Sequence, residues 1–117
     1  MEGRKTIIQT IKGNEKDDMA LAIRYYSVLA ALNKIRLTER EIQLMAFLAV
    51  KGNVSYSTNR QEFCKLYSSS SATINNMISR LKKMGILVKN NSKIRVHPSI
   101  MLDFSNDLVL QIKLTHG

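Results

Sequence analysis

Apolar residues recur along this chain with changing rhythm, and each change marks an element. Residues 4 to 12, Arg-Lys-Thr-Ile-Ile-Gln-Thr-Ile-Lys, are rich in β-branched types and stop at Gly13-Asn14, which predicts a short strand and a turn. From Glu15 the period becomes helical. Met19, Ile23, Tyr26 and Leu29 share one face, with Leu21, Tyr25, Val28 and Leu32 beside them. An arc that wide predicts a mostly enclosed first helix over residues 15 to 35. Asp17 and Asp18 stand in its first turn, where negative charge suits the helix dipole, and they read as capping charge rather than as a catalytic carboxylate pair.

A second helix is announced by Leu37-Thr38-Glu39-Arg40-Glu41, in which Thr38 caps the free amides and Glu41 reaches back to the cap. Ile42, Met45, Leu48 and Ala49 carry its buried face to a stop at Gly52. Asn53 to Thr58 reads as a loop. A third helix is expected from Asn59, which with Glu62 repeats the capping-box spacing, with Phe63 and Leu66 on its buried side. Four serines, Ser68 to Ser71, supply an N-cap for the clearest run in the chain: Ile74, Met77, Ile78, Leu81 and Met84, closed by Gly85. Ile86 to Lys89 and Lys93 to Val96 then read as two strands joined by Asn90-Asn91-Ser92, with Pro98 ending the second. Ser99 to Phe104 suggests a helical turn, and the alternation of Leu108, Leu110, Ile112 and Leu114 suggests a terminal strand that pairs with the first strand or with another subunit.

The fold class that follows is mainly α with a small β component: about four helices, a short β-hairpin and two β-like terminal segments. Residues 1–14 form an N-terminal arm, 15–97 the domain, and 98–117 a C-terminal extension. A length of 117 residues suits one domain with its own core, without disulfides or metal. With 44% apolar and 23% charged residues and no apolar run of bilayer length, the composition argues against a membrane protein. The N-terminal apolar patch is too short for a secretory leader, so a cytoplasmic chain is expected. The single cysteine, Cys64, beside Phe63, reads as a small buried hydrophobe; no Cys/His cluster has zinc-ligand spacing, and neither metal nor cofactor is expected.

Charge sharpens the picture. The formal net charge is +9, and between Phe63 and Leu102 there are seven Lys or Arg residues and no acid: Lys65, Arg80, Lys82, Lys83, Lys89, Lys93 and Arg95. Such a one-sided stripe suits a polyanion, and nucleic acid is the first candidate. Two helices joined by a short turn, the second with amide and basic side chains outward, form a helix-turn-helix pattern, and the hairpin makes it winged. A helix fits the major groove of double-stranded DNA, where an Asn amide pairs with adenine N7 and N6 and Arg bridges guanine N7 and O6. Thr73, Asn75, Asn76 and Ser79 occupy the half of the helix that reaches base edges. Arg80, Lys82 and Lys83 lie farther along, toward phosphates, and Lys89, Lys93 and Arg95 sit on the hairpin. Ser70 and Ser71 offer hydroxyls and free amides to a phosphate. The plainer alternative is a solvated helix face, since any surface helix needs polar residues. His97 reads as a strand end or a phosphate contact rather than a general base.

Residues 37 to 97 resemble the winged helix-turn-helix core of MarR-type and related bacterial and phage regulators. The resemblance rests on Leu37-Thr38-Glu39-Arg40-Glu41 and on Ile78-Ser79-Arg80-Leu81-Lys82-Lys83-Met84-Gly85-Ile86-Leu87. It places Thr73, Asn75, Asn76, Ser79 and Arg80 on a recognition helix and Lys89, Lys93 and Arg95 on the wing. The wing turn, about three residues, is shorter than most MarR-type wings. Val96-His97-Pro98-Ser99-Ile100 is similar to a segment of winged-helix domains in plasmid and phage replication initiators.

Two functions compete. One is a sequence-specific DNA-binding transcriptional regulator or replication-associated binder, non-catalytic and dimeric. The other is a winged-helix structural, connector or packaging component of a bacteriophage particle, whose terminal arms build a larger ring. An enzyme is the weakest class, because no Gly-rich phosphate loop, metal-ligand spacing or nucleophile motif occurs.

Overall fold

A computed structural model describes residues 5–10, 18–51, 56–90, 93–102 and 109–115. Four helices are followed by an antiparallel hairpin: α1 (Asp18–Leu32), α2 (Glu39–Lys51), α3 (Tyr56–Tyr67), α4 (Ser71–Lys83), β1 (Leu87–Asn90) and β2 (Lys93–Val96). One 3-10 turn, Pro98–Ile100, follows. The architecture is mainly α with a small β component, in the layout of a winged helix. No helix among the described residues is long and apolar enough to cross a membrane.

Local signals account for most boundaries. The Thr38 hydroxyl accepts from Glu41 N–H at 3.1 Å while Glu41 Oε1 accepts from Thr38 N–H at 2.9 Å, a reciprocal box that satisfies two donors at the start of α2. Ser70 caps α4 by accepting from Thr73 N–H at 3.1 Å. At the other end of α4, Ile86 N–H reaches Leu81 O and Gly85 N–H reaches Lys82 O, both at 3.0 Å, which is a Schellman closure. Gly85 takes φ +75° there, where a side chain would be strained. Helix α1 ends in the same closure, Ile35 N–H to Ala30 O and Lys34 N–H to Ala31 O, with Lys34 at φ 54°.

The core gathers Tyr26 from α1, Leu44, Phe47 and Leu48 from α2, Phe63 from α3, Ile74, Ile78 and Leu81 from α4, and Leu87, Ile94 and Val96 from the hairpin. Phe63 stands edge-on to Phe47, with ring centres 5.6 Å apart, and leans on Tyr67 at 4.6 Å. Cys64 is half-buried against this cluster. The Tyr26 hydroxyl donates to Ile100 O at 3.1 Å, and burial, with Tyr25 adjacent, pushes the phenol well above its ordinary value. Together with the buried Leu102, this bond holds residues 98–102 against α1 and the core.

Four expectations are corrected. Helix α3 begins at Tyr56, within the expected loop, so Asn59 is no cap but an interior residue only 2% exposed. Its polar type hid an inward position. Helix α1 is not enclosed: Val28 and Leu32 are 43% and 47% exposed, because α2 and the 98–102 segment cover only one side. The terminal segments 5–10 and 109–115 form no strand, since a strand needs a neighbour for its N–H and C=O groups and neither segment meets one. The hairpin ladder pairs Asn90 with Lys93, so the turn between strands is shorter than the Asn90-Asn91-Ser92 reading, and residues 91 and 92 lie outside the described residues. Of the remaining expectations, Gly13-Asn14, Asp17, Gly52, Phe104 and Leu108 also lie outside them.

Candidate nucleic-acid interface

Helix α4 is positioned by its apolar side. Ile74, Ile78 and Leu81 are buried, with Met77 packed beside them, and each full burial contributes about 1.5–3 kcal/mol. At 3.6 residues per turn, the line most remote from that face runs through Ala72, Asn76, Ser79 and Lys83, all exposed. Thr73 and Arg80 flank it on one side, Asn75 and Lys82 on the other. The preceding turn, Ser68 to Ser70, joins α3 to α4 with Ser68 at φ 50°.

Several of the expected contact residues are already engaged within the protein. The Ser70 hydroxyl is taken up by the cap, bonding Thr73 N–H and sharing a 2.9 Å bond with the Thr73 hydroxyl. Ser71 is exposed in the first turn. Asn75 Oδ1 accepts from Arg60 of α3 at 3.5 Å, a link across the two helices of the motif. Arg80 is the principal revision. Its Nη1 pairs with Glu41 Oε2 and its Nη2 donates to Arg36 O at 2.8 Å, so both ends of the guanidinium hold α4 to the entry of α2. The Arg80 side chain is 48% exposed, whereas that of Glu41 is 4% exposed. Burial acts to raise the Glu41 carboxyl, yet bonds from Thr38 N–H, Arg80 and the Thr38 hydroxyl outweigh it and hold the group below the ordinary glutamate value. Arg80 thus positions α4 against the entry of α2.

The hairpin divides its cations. Pairing sets Val88 opposite Arg95 and Asn90 opposite Lys93, so these four share one face. Lys89 pairs with Ile94 on the other face, the side that buries Leu87, Ile94 and Val96, although Lys89 itself stays exposed at the tip. Lys93 and Arg95 are half-buried. His97 stands at the start of the 3-10 turn. Its Nδ1 accepts from Ser99 N–H at 3.1 Å and lies 2.8 Å from the Ser99 hydroxyl, capping the 3-10 turn.

No family model matches the chain, and neither a curated protein nor a solved structure resembles it significantly. Its own geometry carries the argument. The residues brought together as an outward surface are Asn76, Ser79, Lys82 and Lys83 on α4. Sequence reasoning missed Ala72, whose exposed methyl completes the outer line, because a lone Ala carries no polar signal. It also missed Glu41 and Arg36 as partners of Arg80, since 39 and 44 residues of chain separate them from it. A cavity of about 270 Å³ opens elsewhere, between α1 and the foot of the hairpin, lined by Tyr26, Ala30, Met45 and Ile86 among others. Its polar neighbours are self-satisfied: Tyr26 bonds Ile100, Asn33 bonds Leu29 and His97 bonds Ser99.

Proposed function

We propose that this protein binds double-stranded DNA sequence-specifically, as a non-catalytic transcriptional regulator or replication-associated binder, with α4 in the major groove. One observation carries the reading: α4 is anchored through its apolar side and through Arg80, while an outer line of Ala72, Asn76, Ser79 and Lys83 stays free of acids and exposed. A rigid helix with an uncommitted amide at its centre is what base readout requires, and Lys82 and Lys83 supply phosphate contacts beyond it. The hairpin's Lys93 and Arg95 extend the positive surface.

The experiment is selection from a random duplex library, followed by binding titrations at rising salt. A recovered motif and an affinity falling as a power of salt are expected; about four phosphate contacts give a log–log slope near −3.6. Asn76→Ala should cost about 1–3 kcal/mol on the selected site and relax preference at one position. Lys83→Ala should weaken all sequences alike and flatten the slope by about 1. Weak binding without site preference, unmoved by either variant, would overturn the proposal.

A second reading draws on the exposed apolar termini: Ile7, Ile8, Val109 and Leu114 are each at least 80% exposed. Arms of this kind add strands to neighbours, as in a connector or packaging component of a phage particle. Sequence-blind binding together with a ring-sized mass would favour it.

A further inference from the structure

We propose that a second copy of this chain docks antiparallel along the open face of α1, giving a two-fold dimer. Helix α1 carries two apolar faces. Ala22, Tyr26 and Ala30 are buried in the core, but Leu21, Val28 and Leu32 lie outside the core cluster and Tyr25 only flanks it. A helix apolar on both sides is ordinarily covered on both.

The occupant follows from the spacing. Leu21, Tyr25, Val28 and Leu32 follow one another at intervals of four, three and four residues, the seam of a knobs-into-holes helix pair. That series reads the same in either direction. A two-fold axis between Tyr26 and Ser27 therefore sets Leu21 opposite the partner's Leu32 and Tyr25 opposite the partner's Val28, each contact made twice, as an isologous interface requires. Charge agrees with this register. It brings Asp18, at the start of α1, beside the end of the partner's helix, where Lys34 is exposed. Opposite charges thus meet at both ends of the seam, even though the chain as a whole is +9.

Four side chains per helix fall short of the ~600–1,000 Å² per partner of standard stable interfaces, so the dimer is a concentration-dependent one with Kd in the micromolar range, about 1–100 μM. The proposal does not rest on the DNA reading, because the dimer forms or fails without nucleic acid.

Sedimentation equilibrium of the full chain across that range tests it, with nucleic acid removed. A mass rising toward twice 13.3 kDa is expected. Val28→Glu and, separately, Leu32→Glu should weaken association about 100-fold, while their exposure leaves the thermal melt of the monomer little changed. Asp18→Lys alone and Lys34→Asp alone should each weaken it about two- to fivefold, and the two together should restore it. Lys34 tolerates this change, since Asp readily adopts the left-handed backbone found there. Restoration separates contact between chains from damage to the helix, whose end-charge penalties would add. A chain monomeric throughout, or an oligomer of any size indifferent to both glutamates, overturns the proposal; failure of the charge swap overturns the antiparallel register.

Discussion

Replacing Glu41 by Gln removes the charge that fixes α4 while keeping the side chain's shape. The Glu41 side chain is 4% exposed and takes up Thr38 N–H as well as the Arg80 guanidinium. Gln retains the Thr38 bond, but its amide offers an N–H group to a cation that needs an acceptor. Hydrogen bonds to charged groups contribute about 1.5–3 kcal/mol. With the Arg80 side chain 48% exposed, water screens the pair, so a loss of about 1–2 kcal/mol is expected. In urea that lowers the unfolding midpoint by about 0.5–1 M. The pH dependence has a definite sign. The folded carboxyl titrates below its ordinary value of 4.5, so its stabilisation is complete above that value and is lost as pH falls through the folded one. The gap between the native chain and E41Q should therefore be full at neutral pH and close in acid, once the folded carboxyl is protonated. Circular dichroism in urea at both pH values measures it. An unchanged midpoint at neutral pH, or a gap that persists in acid, would show that the Glu41 charge does not fix α4. In the same frame, Arg80→Ala should lower stability and weaken binding to every DNA sequence alike, whereas Asn76→Ala should change preference without changing the melt.

Two smaller tests address the frame itself. Ser68→Gly should raise stability by about 0.5–1 kcal/mol in thermal melts, because φ 50° at the end of α3 strains any side chain; a destabilised variant would show that the serine side chain matters more than the backbone. Tyr26→Phe keeps the ring but deletes the 3.1 Å bond to Ile100 O, and a loss of about 0.5–1.5 kcal/mol with faster amide exchange at residues 99–102 is expected. Unaltered exchange there would mean that burial of Leu102 alone retains the segment.

Features decided between neighbours in the chain were legible before any fold was known. Thr38 with Glu41 reads as a helix start because cap and box partners lie three residues apart, and the structure closes both bonds. The apolar series through Ile74, Ile78 and Leu81 with Gly85 after it specifies an amphipathic helix and its end for the same reason, and the outward direction of Asn76, Ser79 and Lys83 follows from that periodicity alone. Tertiary structure decided the rest, because it depends on which distant surfaces meet. Arg80 read as an outward cation turned toward phosphates until folding brought it to a nearly buried carboxylate on α2, and the low exposure of that acid is what commits the guanidinium. Asn59 looked like a cap until the packing of α3 turned it inward. The apolar arc of α1 implied burial on both sides, and only the arrangement of α2 and the 98–102 segment left Leu21, Val28 and Leu32 outside the core. Periodicity names the faces of a helix; which of them loses water is set by partners that are far away in sequence.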